Sequence, residues 1–262
     1  MDKRTLLDRA SHSAEERTLL AHVLDKYEQC RTRGVPAHTD FLSPAELAGA
    51  QDLLRAAAVH DGYAALGGYD RAERRMLCFL PEWQEEADAA DYMTALRASF
   101  RADDRLTHRD LLGSLMGLGV VRAKLGDILV GEESADLIAS PDVADWLARE
   151  WTTAGRARVR VEKIELAALR VPELKIREIR DTVATLRLDA VAASGFSMSR
   201  ARASELIASG RVQKNHREAV KPDAPVAQGD VISARGVGKF EVAEVGGLSK
   251  KGRTAILLRR YL

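Results

Sequence analysis

The sequence predicts an α+β protein built from more than one domain, on three observations. Apolar residues at helical spacing, preceded by helix-capping residues, dominate roughly the first 60 positions. Short apolar or alternating runs, typical of strands, mix with helical segments between about residues 75 and 166. After residue 186 the pattern changes to two short helices followed by short strands. No segment repeats at a fixed period, which favours α+β over a repeat architecture.

Composition narrows the class of protein. The chain has 262 residues, enough for two or three domains, and its 46% hydrophobic and 30% charged residues are typical of a folded protein. Two cysteines cannot build a disulfide framework or a four-ligand zinc site, and the six histidines are scattered. We therefore expect a reducing, cytoplasmic location with no metal and no cofactor. The charged N-terminus and the lack of a long apolar run predict neither a signal peptide nor a membrane span.

The N-terminal segment, residues 1–66, is predicted to be helical. Ser13 and the glutamate three positions later form a capping-box pattern, and the helix that follows ends at Gly34. Ser43–Pro44 begins a second helix through about His60, because proline is tolerated in the first helical turn.

Residues 67–166 are predicted to form an α/β module. Thr107 caps one of its helices, with Asp110 in a favourable first-turn position. Predicted strands cover 75–80, 93–100, 126–130 and 156–166, and predicted helices cover 108–118 and 141–151. Residues 167–185, which contain Pro172, are predicted to be a linker or a connecting strand.

Residues 186–262 are predicted to form a C-terminal domain with a basic hairpin extension. The second of its two helices is capped by Ser199 and stopped by Gly210. The predicted helices cover 188–193 and 199–209, and the predicted strands cover 212–215, 231–234, 239–245 and 254–258.

Charge is distributed unevenly, although the net charge is only +1. Residues 1–150 hold 18 Lys and Arg against 27 Asp and Glu, a net charge of −9, whereas residues 190–262 hold 13 against 6, a net charge of +7. The basic end therefore suits a polyanion, and the acidic half suits a protein partner. The alternative to a binding role is that these charges cluster by chance on a surface that faces only solvent.

The basic end carries a recognisable motif. Its Arg187-Leu188-Asp189, Ser199-Arg200, Leu206-Ile207 with Gly210, Val212 with Asn215, and Gly229-Asp230-Val231-Ile232 follow one another at a characteristic spacing. Over about 50 residues this run resembles the RNA-binding domain first named for small-subunit ribosomal protein four, here called the S-four domain. One position departs from the family pattern, since His216 follows Asn215 where the family usually has glycine.

The S-four domain is also where the charges suit RNA. Arg200 and Arg202 lie in a first helical turn, where cations oppose the helix dipole and a bound polyanion would explain them. The resemblance implies contact with structured RNA through backbone phosphates. The candidate RNA-binding residues are Arg200, Arg202, Lys214, Asn215, His216, Arg217, Arg235, Lys239, Lys250, Lys251 and Arg253. Ordinary solvated cations are the alternative interpretation.

Two further blocks narrow the resemblance to one family. The first is GGYDRAER at 67–74 with Phe79-Leu80-Pro81, and the second runs from HRDLLG at 108–113 to Asp127-Ile128. Together with the S-four domain they resemble the YlmH family of bacterial RNA-binding proteins, which are described as ribosome-associated quality-control factors. The resemblance implies that the middle module is plait-like and binds RNA.

Catalysis is the main alternative function. Arg187-Leu188-Asp189 is similar to the catalytic stretch of RNA pseudouridine synthases, but the large catalytic domain that should follow is missing, so we expect Asp189 to pack or cap a helix. His108 beside Asp110 suggests acid–base chemistry. Adjacent helical residues do not face each other, however. Two interpretations of this segment remain open. In the first, it makes a second contact with RNA or a ribosomal subunit through His108, Arg109, Arg122 and Lys124. In the second, it is an ordinary capped helix start with a polar first turn.

The sequence and the resemblance together predict a non-catalytic RNA-binding factor. It would bind rRNA and tRNA on the large ribosomal subunit and position peptidyl-tRNA during rescue or quality control of stalled translation. An RNA-modification enzyme subunit and a division-linked adaptor, whose acidic N-terminal half binds protein, are the alternatives.

Overall fold

The computed structural model describes residues 2–249 and 252–261, and the chain divides into two compact units, Met1–Pro172 and Glu173–Leu262. The helices are α1 (Lys3–Ala10), α2 (Ala14–Arg33), α3 (Pro44–Ala56), α4 (His108–Gly117), α5 (Pro141–Glu150), α6 (Leu188–Gly195) and α7 (Arg200–Ala208). Strands of the first unit are β1 (Ala37–His38), β2 (Tyr63–Leu66), β3 (Met76–Phe79), β4 (Thr94–Ser99), β5 (Leu125–Val130), β6 (Ser134–Ala139), β7 (Thr153–Ala154), β8 (Ala157–Arg158) and β9 (Arg160–Ile164). Strands of the second unit are β10 (Ile176–Val183), β11 (Val212–Lys214), β12 (Arg217–Glu218), β13 (Val231–Ala234), β14 (Gly238–Leu248) and β15 (Thr254–Tyr261).

The helical start of the first unit packs on a small antiparallel sheet in the order β1-β3-β2. The predicted caps form: the Ser13 hydroxyl accepts from the Glu16 amide, and Ser43 with Glu46 makes a full capping box. Leucines and alanines of α1–α3 pack against Leu77 and Phe79 of β3, and burial of this apolar surface stabilises the region.

The middle of the first unit is a plait, which confirms the predicted architecture. The order β4-α4-β5-β6-α5-β9 folds into a four-stranded antiparallel sheet arranged β5-β6-β4-β9. This is the split βαβ arrangement. Strand β6 was not predicted, because all six of its residues are buried and no alternation marks it. The predicted strand 156–166 is shorter, since residues 153–158 form the separate β7–β8 hairpin.

Both faces of the plait sheet are covered. Leu96, Leu137 and their neighbours pack against α4 and α5. On the other face, Asp136 is 1% exposed and forms a bidentate ion pair with Arg97, with both N–O distances at 2.7 Å. Its carboxylate also accepts a hydrogen bond from the backbone N–H of Arg170 at 2.7 Å. Arg97 also donates to the Ala168 carbonyl at 2.7 Å, so the segment following β9 is fixed across this face.

The second unit is a six-stranded antiparallel sheet in the order β10-β15-β14-β13-β11-β12, with α6 and α7 packed on it. The range 167–185, predicted to be a linker or a connecting strand, contains β10, which pairs along its whole length with β15. Phe196 and Phe240 meet edge-on in the core, with ring centroids 4.9 Å apart. In the described residues no helix is both long and apolar enough to cross a membrane.

Candidate nucleic-acid interface

The start of α7 presents two arginines, as the sequence predicts. The Ser199 hydroxyl accepts from the Arg202 amide at 3.2 Å, so the helix begins with a side-chain cap. The Arg202 guanidinium is exposed and pairs with Glu205 at 2.9 Å on the helix surface. An exposed pair of this kind is worth about 0–1 kcal/mol, so a phosphate can replace the carboxylate at little cost.

Arg200 is held by a buried carboxylate. Asp189 of α6 is 4% exposed and lies 3.0 Å from Arg200 and 3.1 Å from Arg187. Burial opposes ionisation of Asp189, but the two guanidinium groups outweigh it and lower its pKa. Both guanidinium groups keep an exposed side, and with one shared carboxylate the trio carries a net charge of +1. Asp189 therefore holds two arginines that keep an exposed side.

The turn after β11 is the second part of the interface. Lys214 and Arg217 pair across β11 and β12, so Asn215 and His216 form a two-residue hairpin loop. Both have positive φ, +50° and +66°, which is the backbone of a type I′ turn. A glycine adopts this conformation freely, whereas His216 occupies it at a cost of about 1 kcal/mol.

Asp230 fixes this turn from beneath. Its carboxylate accepts from the Asn215 side-chain amide at 2.7 Å and from the Ala227 backbone at 2.7 Å, and it pairs with Lys214 at 2.9 Å. Burial raises the pKa of Asp230, but these donors reverse the effect and lower it. The side-chain oxygen Oδ1 of Asn215 accepts a hydrogen bond from the backbone N–H of Val231 at 2.8 Å. Asn215 and Lys214 therefore rigidify the turn, in which His216 follows Asn215, and Arg217 is exposed at the start of β12.

The remaining predicted residues lie on the β13–β15 side of the sheet. Arg235 is exposed at the turn after β13, and the Lys239 ammonium lies 5.1 Å from the centre of the Tyr261 ring. Arg253 donates to the hydroxyl and carbonyl of Thr182 on β10. Strand β10 is the edge opposite β11 and β12, so Arg253 belongs to a different part of the surface from the Asn215–His216 turn. Lys250 and Lys251 lie outside the described residues.

Arg187 was not among the residues predicted to bind RNA. The sequence contained one indication of a role for Arg187, its place at the start of the Arg-Leu-Asp run. Only the fold shows that Arg187 and Arg200 contact the same carboxylate of Asp189.

The four residues predicted as a second contact divide into two kinds. His108 and Arg109 are exposed in the first turn of α4, where the Asp110 carboxylate is engaged in a capping box with Thr107. Lys124 instead pairs with Asp40 at 2.8 Å and Asp142 at 2.9 Å. Burial acts to lower the pKa of Lys124, but these two carboxylates raise it.

Arg122 also faces inward. It donates to the carbonyls of Leu125 at 2.6 Å and Gly126 at 3.0 Å. Burial, together with the neighbouring guanidinium of Arg74, lowers the pKa of Arg122 to about 10. Arg122 therefore supports the chain at the start of β5 rather than presenting its charge to solvent.

The two sequence blocks of the first unit meet at Asp127. Its carboxylate accepts from the Tyr69 hydroxyl at 2.9 Å and from the amides of Glu73 at 2.7 Å and Arg74 at 3.1 Å. The Arg74 side chain in turn donates to the carbonyls of Leu125 and Phe41, both at 2.9 Å. These residues join the 67–74 loop to the plait, so their role in the structure is to hold the first unit together.

Comparison with known proteins gives two family-model matches. Residues 15–82 match the model described as "YlmH, N-terminal", and residues 100–168 match "Putative RNA-binding domain in YlmH". The chain is 38% identical over 226 residues to the "Ribosome-associated protein quality control protein P2" of Bacillus subtilis, covering 85% of this chain and 86% of that protein. It is also similar to the structure of "Cell division protein ylmH from Streptococcus pneumoniae", with a TM-score of 0.49 and 20% identity, over 62% of this chain and 98% of the other.

Proposed function

The chain belongs to the YlmH family, and we propose that it is a non-catalytic RNA-binding factor of ribosome-associated quality control. In this proposal it acts in the cytoplasm on the large ribosomal subunit, where it holds peptidyl-tRNA in place after translation has stalled. The observation that carries the proposal is the pair of arginines, Arg187 and Arg200, oriented by the buried carboxylate of Asp189.

The arginine pair suits RNA for a physical reason. Guanidinium groups bind phosphate oxygens through two parallel hydrogen bonds, and groups that are already oriented lose less conformational entropy on binding. The rigid Asn215–His216 turn and exposed Arg202 extend the same chemistry over adjoining elements. Such a surface recognises the shape of folded RNA through its backbone, which suits a factor that docks on rRNA and positions a tRNA.

The acidic half of the chain completes the proposal. With a net charge of −9, residues 1–150 are repelled as a whole by a polyanion, so their bulk surface suits a protein partner. We include a protein contact of this kind on the ribosome as part of the same function.

The test is co-sedimentation with purified large subunits, small subunits, and large subunits carrying peptidyl-tRNA. Replacing Arg200 and Arg202 together by glutamine removes two charges without placing a new carboxylate beside Asp189. We expect wild type to bind large subunits, more tightly with peptidyl-tRNA present, and the double variant to bind on the order of tenfold more weakly.

The matched control is Arg177→Gln with Arg180→Gln, which removes the same charge from exposed positions on β10, the far edge of the same sheet. This control should bind like wild type. Equal binding by all three proteins would reject the α7 surface, and no binding of wild type to either subunit would reject the ribosomal function.

A further inference from the structure

A row of three arginines projects from the first unit. Arg156, Arg158 and Arg160 alternate with the buried Ala157 and Val159 along the β7–β8 hairpin and into β9. Arg156 is exposed in the two-residue turn of the hairpin, after Gly155. Because side chains alternate between faces of an extended chain, Arg158 and Arg160 lie on the same exposed side, with Cα atoms about 6–7 Å apart. Within the described residues none of the three has an ion pair or a side-chain hydrogen bond. We call Arg156, Arg158 and Arg160 the arginine row.

The arginine row adjoins the exposed start of α4. A Cβ atom on Gly155, at the tip of the hairpin, would lie 3.7 Å from the Asp110 side chain, so the tip rests against the first turn of the helix. His108 and Arg109 are exposed in that turn. Asp110 accepts from the Thr107 amide at 2.9 Å and hydroxyl at 2.6 Å. The hairpin, which carries Arg156 and Arg158, therefore meets a helix start that already carries one arginine and one histidine, and Arg160 follows at the start of β9.

A cleft of about 540 Å³ lies between these elements. Arg109, Gly113 and Gly117 line it from α4, and Thr153 and Gly155 line it from the hairpin. The two α4 glycines leave its wall open, since a Cβ at either would meet nothing within 4 Å. Asp110 and Glu150 are the acidic groups in its lining, and Arg109 is the cation there. Adding the three arginines of the row, which lie outside the lining, gives four arginines to these two carboxylates.

Both faces of the plait sheet are covered, so RNA cannot reach the module through an open sheet face. Four-stranded RNA-binding sheets commonly stack bases on aromatic residues of an open face. Here the corresponding face is closed, with Ser134 8%, Asp136 1% and Ile138 0% exposed. RNA that contacts this module must therefore use an edge, a loop or the outer surface of a helix. The arginine row runs from the β7–β8 turn to Arg160, the first residue of edge strand β9.

The composition of the corner favours RNA over a protein partner. Protein interfaces have an apolar or aromatic centre. The large exposed apolar side chains found in the described residues, such as Met116, Val121 and Trp146, include none from 99–110 or 152–160. Unpaired arginines at alternate positions instead match successive phosphates, which they can grip bidentately.

We propose that the arginine row, with His108 and Arg109, is a second RNA-binding surface that grips the phosphate backbone of ribosomal RNA. This inference deepens the proposed function, on which it rests. It assigns a specific contact surface to the middle module, separate from the S-four domain.

The experiment compares full-length wild type with a variant carrying Arg156→Gln, Arg158→Gln and Arg160→Gln. The probes are deproteinised large-subunit rRNA and intact large subunits, each in a salt series. The variant should bind rRNA on the order of tenfold more weakly, and its log–log salt slope should be smaller in magnitude by about 2–2.7, or 0.7–0.9 for each lost phosphate contact. Circular dichroism and thermal unfolding establish that the variant is folded.

The matched control removes the same charge from exposed arginines of the N-terminal helices, by Arg4→Gln, Arg31→Gln and Arg33→Gln. It should bind both probes like wild type. If the arginine-row variant and wild type bind rRNA with equal affinity and equal salt slope, the inference is overturned. Immobilised poly-glutamate stands for an acidic protein partner, and preferential binding of wild type to it over rRNA would also overturn the inference. If wild type binds rRNA but not subunits, the ribosomal function fails, while the variant still decides the arginine row on rRNA.

Discussion

Among single residues, the candidate interface combines exposed cations, which we propose bind RNA, with buried carboxylates that orient them. Asp189 and Asp230 are both largely buried: Asp189 holds Arg187 and Arg200, and Asp230 holds Lys214 and the Asn215 side-chain amide. A carboxylate within a site for a polyanion reduces the net attraction, but it fixes the geometry of the groups that remain exposed. This division explains why a motif rich in arginine also requires aspartate.

His216 is the residue at which stability and binding should separate. Replacing His216 by glycine relieves a strained left-handed backbone, and we expect the free energy of unfolding to rise by about 0.5–1 kcal/mol. If the imidazole contacts RNA, as the sequence predicts, binding to large subunits should weaken by about two- to tenfold. Chemical denaturation and co-sedimentation measure the two effects.

The neighbouring turn position supplies the control for His216. Asn215→Gly relieves the same kind of strain, but it removes the hydrogen bonds to Asp230 and Val231, so it should destabilise the protein by about 1–2 kcal/mol. A His216→Gly protein that is less stable than wild type would contradict the strain argument. Unchanged RNA binding would remove His216 from the interface.

At the scale of elements, local signals predict more than long-range ones. The caps at Ser13, Ser43, Thr107 and Ser199 place four helix starts correctly, because a capping hydrogen bond joins residues three positions apart. Strand β6 could not be predicted in this way, since it is buried along its whole length. Its charged member, Asp136, is tolerated only because Arg97 and the Arg170 amide meet it across the sheet.

The candidate site shows the same limit. The S-four motif identified the α7 arginines, but the bond between Arg200 and Asp189 joins residues eleven apart and depends on how α6 and α7 pack. In the sequence, nothing distinguishes Arg122 and Lys124 from His108 and Arg109 as candidate RNA contacts. Only the fold shows that the first pair is engaged with internal partners and the second is exposed.

Two helical glycines give a prediction for element packing. A Cβ on Gly195 of α6 would lie 2.3 Å from the buried ring of Phe240, so Gly195→Ala should destabilise the protein by about 2–3 kcal/mol. Gly113 of α4 has open space around its missing Cβ, so Gly113→Ala should stabilise it by about 0.5–1 kcal/mol. Denaturant unfolding of both variants checks the pair. A Gly195→Ala protein at least as stable as wild type would refute the close packing of α6 on Phe240, and a destabilised Gly113→Ala protein would refute the open space beside α4.

At the scale of the whole molecule, charge is segregated into an acidic half with a local basic corner and a basic C-terminal domain. The net charge of residues 1–150 does not include the arginine row, which lies in residues 151–189, where there are 9 Lys and Arg and 6 Asp and Glu. Within residues 1–150, carboxylates elsewhere outweigh Arg109. A chain of this kind can bind RNA through two limited surfaces while the rest of its acidic half stays off the polyanion. In the proposed function, two separate cationic surfaces therefore contact ribosomal RNA.

The most direct measurement is the salt dependence of binding to purified large subunits for four proteins. These are wild type, the Arg200→Gln and Arg202→Gln variant, the arginine-row variant, and the combination of all five substitutions. If each arginine neutralises one phosphate, the slope should be smaller in magnitude than that of wild type by about 1.5 for the Arg200 and Arg202 variant and by about 2.5 for the arginine-row variant. It should be smaller by about 4 for the combined variant, because the two losses add. A combined variant whose slope equals that of wild type, or that of either partial variant, would contradict the claim of two RNA-binding surfaces.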